Sequence, residues 1–185
     1  MALRIIAGTC GGRRIEAPSG RATRPTAERV REAWFAAIGP VLEGASVLDL
    51  FAGSGALGIE ALSRGAARAH FVEADPRALA ALRRNLIALD LEARSVVIRL
   101  DVFRWLSRSE TPQFDIALAD PPYGSPDAAR LVRRFLDAPF ARRLWIEHAA
   151  AASDLPGGAD WSRRYGDTGL RRYPAPGPEP RPEGA

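Results

Sequence analysis

Short apolar runs that contain or end in an acidic residue recur along this chain, and each is followed by a helical or turn-rich segment. The runs occupy residues 47–50, 69–73, 96–101, 114–120 and 144–147. Runs of this length favour strands, and their alternation with helices favours a parallel sheet with right-handed crossovers. We therefore expect an α/β fold whose mostly parallel sheet is covered by helices on both faces.

The segments between these runs carry helix start signals. Thr26 is suited to cap a helix over residues 27–38, Asp75 precedes Pro76 in the same way, and Ser125 is expected to cap a further helix. The sequence thus predicts repeated βα units from residue 46 onward.

Two hairpins are expected to flank these units. Strand-like runs over 3–8 and 13–17 surround a turn-rich segment, and runs over 161–165 and 170–173 surround another. The second hairpin would close a seven-stranded sheet with antiparallel strands. The expected organisation is an N-terminal basic β-hairpin over 1–22, a main domain over 23–173 and a Pro-rich disordered tail over 174–185.

Basic charge is concentrated at the start of the chain. Residues 1–31 hold seven Arg and two acids, a net charge of +5, whereas the remainder holds nineteen Arg and twenty acids, a net charge of −1. A basic arm on a near-neutral body favours contact with a polyanion such as RNA or DNA, although a solvated hairpin without a partner has the same charge. The candidate contacts are Arg4, Arg13, Arg14 and Arg24.

Composition excludes several classes of protein. All 26 basic residues are Arg, which excludes a Walker A phosphate loop and a Schiff-base lysine. The single cysteine, Cys10, excludes a disulfide framework and a Cys-rich zinc site, and no metal is expected. No apolar run approaches the roughly 20 residues of a bilayer span, and no export signal is visible. The expectation is a cytoplasmic protein without membrane contact.

A glycine loop lies behind the first acidic strand. Residues 47–58 read VLDLFAGSGALG, which places Gly53, Gly55 and Gly58 in the G-x-G-x-x-G spacing. This spacing suits a nicotinamide dinucleotide, S-adenosylmethionine, or merely a tight strand-to-helix turn. Asp49, four residues before Gly53, would repel a pyrophosphate but attract the ammonium and sulfonium groups of S-adenosylmethionine.

Two more acids are expected at the same crevice. Glu73 lies 20 residues after Gly53 at the next strand end, where a carboxylate accepts hydrogen bonds from both ribose hydroxyls, a feature that NAD sites share. Asp101 follows the third strand and is placed to accept a hydrogen bond from an adenine amino group, or simply to cap a helix. Open α/β sheets bind ligands at such strand ends.

A second motif, LADPPY over residues 118–123, follows the fourth strand. Pro121 and Pro122 fix φ and lack N–H groups, so the carbonyls around Asp120 and Pro121 would form a rigid pair of acceptors. Such a pair holds the two hydrogens of a planar NH₂ group, and Tyr123 offers a ring for the base to stack on. A plain Asp-Pro-Pro turn is the simpler alternative.

Together these motifs resemble a known family. VLDLFAGSGALGIEALSRGA, FVEAD and LADPPY resemble class I S-adenosylmethionine-dependent methyltransferases, which have a Rossmann-like fold. RIIAG, RPTAERVREAWF and YGDTGLRRY narrow the resemblance, over residues 3–173, to bacterial 16S ribosomal RNA guanine-N2 methyltransferases. The resemblance implies that S-adenosylmethionine is lined by Asp49, Phe51, Gly53, Gly55, Glu73 and Asp101. It implies that the guanine amine is held by Asp120, Pro121, Pro122 and Tyr123.

The implied partner is 16S rRNA, within a small-subunit particle or an assembly intermediate, and the enzyme is expected to be a monomer. An adenine-N6 methyltransferase acting on DNA or RNA is the main alternative, because the four-residue motif reads an amine and not a whole base. An NAD-linked oxidoreductase would leave Asp49 and the Asp-Pro-Pro-Tyr motif unexplained. A non-catalytic RNA-binding module would explain the basic arm alone.

Overall fold

The computed structural model describes residues 2–17, 25–108, 113–152 and 154–177. Strands and helices alternate along the chain as the sequence predicts. The strands are β1 (Ala2–Arg4), β2 (Arg14–Glu16), β3 (Ser46–Leu50), β4 (Arg68–Glu73), β5 (Ser95–Arg99), β6 (Phe114–Ala119), β7 (Ala141–Ala149), β8 (Trp161–Tyr165) and β9 (Thr168–Pro174). The helices are α1 (Pro25–Ile38), α2 (Ala56–Ser63), α3 (Pro76–Ala88), α4 (Val102–Leu106) and α5 (Asp127–Asp137), with short 3-10 turns at Gly39–Leu42 and Glu92–Arg94.

Seven of the strands form one sheet, in the order β5-β4-β3-β6-β7-β9-β8. The five strands from β5 to β7 are parallel, and β9 runs antiparallel to both of its neighbours. β1 and β2 pair separately as an antiparallel two-stranded sheet. The expected mostly parallel seven-stranded sheet with a closing antiparallel hairpin and an N-terminal hairpin is confirmed. Chain order reverses between β3 and β6, and this crevice is where such sheets bind ligands.

Each face of the sheet is covered by its own apolar core, because successive strand residues point to opposite sides. On one face, α1, α2 and α3 pack with the N-terminal hairpin through residues such as Trp34, Ile59 and Leu82. On the other face, α4 and α5 pack through residues such as Trp105 and Phe135. This arrangement leaves the loops at the carboxyl ends of the strands as the surface on which a site can form.

The N-terminal hairpin is fastened to the main domain by buried polar groups. Glu60 on α2 is fully buried and accepts hydrogen bonds from the N–H groups of Ile6 and Ala7 at 2.8 and 3.1 Å. Asn85 on α3 accepts from the N–H of Glu16 at 2.8 Å and donates to the carbonyl of Ser54 at 2.9 Å. The hairpin is therefore held against the glycine loop through one side chain.

Several boundaries differ from those predicted. α1 begins at Pro25 and not after Thr26, so Thr26 lies inside the helix and does not precede it as a cap. β1 and β2 are shorter than the predicted runs, and β7 and β9 are longer.

α5 begins at Asp127 and not directly after Ser125, because the Ser125 hydroxyl donates to the Pro122 carbonyl at 2.8 Å and closes the preceding loop. β5 ends at Arg99, so that Asp101 lies beyond the strand. β9 continues to Pro174, one residue past the expected domain boundary, and the last eight residues of the expected tail lie outside the described residues.

Within the described residues, no helix is both long and apolar enough to cross a membrane.

Candidate functional site

The glycine loop between β3 and α2 is built from left-handed backbone. Phe51, Gly53 and Gly55 have φ values of 59°, 57° and 87°. A Cβ on Gly55 would lie 2.3 Å from a methyl carbon of Leu82, so a side chain there is excluded. A Cβ on Gly53 would meet no atom closer than the Phe51 carbonyl oxygen at 4.0 Å, so the loop is open at that point. The backbone of Gly53 can thus be approached by a ligand.

Asp49 lies beneath this loop and is only 1% exposed. Its Oδ2 accepts a hydrogen bond from the Gly58 N–H at 2.8 Å, and a Cβ on Gly58 would lie 2.3 Å from the Phe71 ring. Burial raises the pKa of Asp49 to about 8; the Gly58 hydrogen bond opposes this, and the negative charges of Asp120 and Glu73 add to it. Three carboxyl groups thus act on one crevice, where a cation would be favoured.

Glu73, at the end of β4, is held by three backbone N–H groups. Its Oε2 accepts from Gly53 at 2.8 Å, and its Oε1 accepts from Ala74 and Asp75, each at 2.8 Å. A carboxylate has about four lone-pair sites, so Glu73 retains capacity for a ligand. The side chain is half-buried. The Gly53 contact joins this carboxylate to the glycine loop, as the sequence spacing suggested.

Asp101 is exposed and caps α4, since its Oδ1 accepts from the Arg104 N–H at 2.9 Å. The helix-cap alternative is therefore realised, and its contact with an adenine stays a prediction. Beside it, the rings of Phe51 and Phe103 meet edge to face with centroids 6.2 Å apart. The guanidinium carbon of Arg130 lies 3.7 Å from the Phe103 ring centroid. This contact brings α5 against the glycine-loop side of the crevice.

The Asp-Pro-Pro-Tyr loop follows β6, the strand next to β3. Asp120 is half-buried, Pro121 is buried and Pro122 is exposed. The sheet therefore brings the predicted amine-binding loop beside the glycine loop. Asp120 follows β6, which pairs in parallel with β3, and its negative charge adds to the effect of burial in raising the pKa of Asp49.

Tyr123 is 50% exposed, but its hydroxyl is anchored. It donates to Glu147 Oε1 at 2.6 Å and lies 2.8 Å from Thr168 Oγ1. Burial and the Glu147 hydrogen bond raise the pKa of Tyr123 well above its ordinary value, so the phenol stays protonated. Since its one proton is directed to Glu147, the Thr168 hydroxyl donates to the phenol oxygen. The ring is thus fixed by β7 and β9.

From the sequence, no role in the site was assigned to Glu147, Thr168 or Phe103, and nothing indicated that Arg130 contacts Phe103. Glu147 ends the fifth apolar run, and Thr168 belongs to the turn of the closing hairpin. Glu147 could have been recognised from the sequence, because the acids at the ends of the other runs had each been given a role.

The Tyr123 hydroxyl is expected to contribute to the rate of methyl transfer. Tyr123→Phe keeps the ring but removes both hydroxyl contacts, of which the one to Glu147 involves a charged acceptor. Hydrogen bonds to charged groups are worth about 1.5–3 kcal/mol, so we expect methyl transfer to slow by about tenfold or more. Tyr123→Ala should slow it further, because the ring is also lost. Single-turnover rates decide this: a rate for Tyr123→Phe within twofold of wild type would show that only the ring matters.

The predicted RNA-contacting arginines are in different situations. Arg4 and Arg14 are exposed on β1 and β2. Arg13 is exposed as well, but its guanidinium donates to the Ala88 carbonyl and so helps to hold the hairpin on α3. Arg24 lies outside the described residues. RNA contact by any of them stays a prediction.

Comparison with known proteins agrees with this geometry. The solved structure titled "Putative methyltransferase yhhF from Escherichia coli" superposes with a TM-score of 0.81 and 30% identity, covering 95% of this chain and 98% of that one. The fold and the site together define a methyltransferase of the Rossmann-like class, as expected. S-adenosylmethionine is the methyl donor of this class, and the open Gly53 backbone, the Glu73 carboxylate and the buried Asp49 fit its hydroxyl and cationic groups.

The chain belongs to the family described as "Conserved hypothetical protein 95", whose model matches residues 3–138. A relative named "Ribosomal RNA small subunit methyltransferase D", from Escherichia coli K12, is 41% identical over 121 residues, which are 65% of this chain and 60% of the relative. "Putative rRNA methyltransferase YlbH", from Bacillus subtilis 168, is 45% identical over 124 residues, 65% of this chain and 67% of the relative. The match thus spans about three fifths to two thirds of these relatives.

Proposed function

We propose that this protein transfers a methyl group from S-adenosylmethionine to the exocyclic N2 amine of a guanine in 16S ribosomal RNA. The observation that carries the proposal is the adjacency of two half-sites: β3 and β6 pair in parallel with Leu50 opposite Ala119, so the glycine loop and the Asp-Pro-Pro-Tyr loop leave the sheet side by side. The names of the relatives, which specify ribosomal RNA and in one case its small subunit, support the substrate class. The choice of guanine N2 rests on the resemblance of the sequence motifs.

On the donor side, the residues of the crevice bind by charge and by hydrogen bonds. Glu73 provides negative charge for a cationic ligand and keeps lone-pair capacity for a ribose hydroxyl. Asp49, which is protonated below about pH 8 in the free protein, would ionise beside the cation. Phe51, with its ring against Phe103, would bound the site beside Gly53 and Gly55. When bound, S-adenosylmethionine supplies an electrophilic methyl group on a sulfonium.

On the acceptor side, the residues orient the amine. The lone pair of a guanine amine is delocalised into the ring, so the loop must favour a pyramidal nitrogen and fix its direction. Asp120 and the adjacent carbonyl accept hydrogen bonds from the two amine hydrogens, with Pro121 and Pro122 keeping the loop rigid. Tyr123, fixed by Glu147, would supply the stacking face. Asp120 would receive the proton that is released.

The polyanionic substrate agrees with the charge of the N-terminal arm. Arg4 and Arg14 are exposed on the hairpin, and Arg13 and Arg24 complete the proposed set. The proposed target lies within a small-subunit particle or an assembly intermediate in the cytoplasm. The enzyme is proposed to act as a monomer. The buried link from Glu16 through Asn85 to Ser54 keeps this arm fixed relative to the glycine loop.

The deciding experiment identifies the methylated nucleoside in the product. Purified protein, labelled S-adenosylmethionine and small subunits from a strain lacking this gene should yield labelled N2-methylguanosine after digestion and mass spectrometry. Labelled N6-methyladenosine would instead identify an adenine-directed enzyme, since the four-residue motif reads only an amine. Absence of label in any RNA substrate would overturn the proposal. An Asp120→Ala variant serves as the control for contaminating activity.

A further inference from the structure

The hairpin of β8 and β9 forms a basic ribbon at the edge of the sheet. β8 is the last strand in the sheet order, and the exposed side chains of Arg163 and Arg164 lie on it beside Tyr165. Together these three residues are called the edge ribbon. None of them belongs to the N-terminal arm, to the glycine loop or to the Asp-Pro-Pro-Tyr loop, and the proposed chemistry has not used them.

The edge ribbon is connected directly to the amine-binding loop. Tyr165 pairs with Thr168 across the hairpin, and the Thr168 hydroxyl lies 2.8 Å from the hydroxyl of Tyr123. Side chains that are opposite each other in an antiparallel pair lie on the same face with Cβ atoms about 4.5–5.5 Å apart. Tyr165 is therefore one strand away from the group that fixes Tyr123.

The arginines at the two ends of the β8–β9 hairpin differ in how they are held. Arg163 pairs with Leu170 and so lies on the same sheet face as Tyr165 and Thr168. Arg164 lies on the opposite face, and its Nε donates to the Gly166 carbonyl at 2.8 Å, which holds it along the turn. Further from the loop, Arg172 is committed to Asp160 by two hydrogen bonds of 2.7 and 2.9 Å. The two solvent-facing cations are those near the Asp-Pro-Pro-Tyr loop.

We propose that the edge ribbon binds the RNA strand that flanks the target nucleotide, with Arg163 and Arg164 on phosphates and the exposed part of Tyr165 against a base. Tyr165 also packs against the apolar core. The inference rests on the proposed function, because a base must leave its stack to reach the amine-binding loop, and its neighbours are then unpaired nearby. Unpaired bases are held by aromatic rings and guanidinium planes, and phosphates by arginine. The ribbon offers both within three consecutive residues.

An alternative role for the same residues is protection of the sheet edge. A strand edge is a template for pairing with another chain, and charged residues on it oppose such pairing. The two roles predict different effects when the arginines are removed. Loss of RNA affinity follows from the first, and self-association with unchanged RNA affinity follows from the second.

The test compares Arg163→Ala/Arg164→Ala with Arg68→Ala/Arg142→Ala. The control pair removes the same charge from exposed positions at the start of β4 and β7, the opposite end of the sheet. Arg142 there forms an ion pair with Asp115 at 3.5 Å, so the unfolding measurement is needed for the control as well. Binding of transcribed 16S rRNA is measured against salt for the full chain, with thermal unfolding to check folding. Each phosphate contact contributes a log-log slope of about 0.7–0.9, so the ribbon variant should flatten the slope by about 1.5 and the control should leave it unchanged.

The same variants are then assayed for methyl transfer. We expect the ribbon variant to raise KM for RNA at least about tenfold with little change in kcat or in S-adenosylmethionine affinity, and Tyr165→Phe to behave as wild type while Tyr165→Ala does not. An unchanged salt dependence of RNA binding, or one reduced equally in the control, would contradict RNA binding by the edge ribbon. Self-association without loss of RNA affinity would contradict it as well. If the ribbon variant unfolds, Arg163→Gln/Arg164→Gln takes its place. Wild-type protein that methylates no RNA would overturn the proposed function itself, whereas active wild type with an unaffected ribbon variant overturns only this inference.

Discussion

Asp120→Ala is expected to slow methyl transfer by about a hundredfold or more while affinity for S-adenosylmethionine changes much less. The size follows from the loss of one positioned polar group at a reacting centre. The selectivity follows from the structure, because Asp120 lies after β6 in the amine-binding loop, whereas the glycine loop and Glu73 lie on β3 and β4. Single-turnover rates and titration calorimetry with the donor measure the two effects separately.

Asp120→Asn is the matched control for this variant. The amide keeps an oxygen that accepts a hydrogen bond from the amine, but it cannot take up the released proton. A rate between those of wild type and Asp120→Ala would assign part of the effect to orientation and part to the carboxylate. Turnover of Asp120→Ala within about threefold of wild type would show that the Asp-Pro-Pro-Tyr loop does not hold the amine.

The parts of the fold that follow from local sequence were predictable. Asp75 accepts from the Arg77 N–H at 2.8 Å and caps α3 with Pro76 at its first position, as the sequence indicated. Alternation of apolar runs with helices was sufficient to predict the parallel sheet. Periodicity and capping depend on residues within a few positions of each other, so one sequence contains the necessary information.

Contacts between distant segments were not predictable in this way. The anchoring of Tyr123 joins residues 24 and 45 positions apart, and the Glu60 contacts with the hairpin join residues 53 and 54 positions apart. Such pairs depend on the order of strands in the sheet, which places β9 beside β7. Sequence spacing placed Asp49, Glu73 and Asp120 at neighbouring strand ends, but it could not show that Asp49 would be buried and Glu73 held by three backbone N–H groups.

The burial of Asp49 leads to a large expected effect of pH on stability. Its pKa rises from 3.8 in the unfolded reference to about 8 in the folded protein, so between these values the folded state binds a proton that the unfolded state has released. The stabilisation is complete below the lower value and is lost as pH rises toward the upper one, at up to about 1.4 kcal/mol per pH unit. Wild-type protein should therefore lose about 2–3 kcal/mol between pH 6 and 8 relative to Asp49→Asn, by urea unfolding. Parallel stability curves for the two proteins would contradict this.

Donor binding should reverse part of that loss. A cation near Asp49 favours the ionised carboxylate, and a ligand that binds only the folded state adds stability according to its affinity. Saturating S-adenosylmethionine should thus stabilise wild-type protein more at pH 8 than at pH 6. The α-amino group of the ligand also titrates in this range, so the informative quantity is the difference between wild type and Asp49→Asn, in which the Asp49 charge alone is removed. NAD, whose pyrophosphate is anionic, should give no such difference. If S-adenosylmethionine shifts both proteins equally at both pH values, the buried carboxyl does not interact with the donor, and the role of Asp49 is confined to holding the Gly58 N–H.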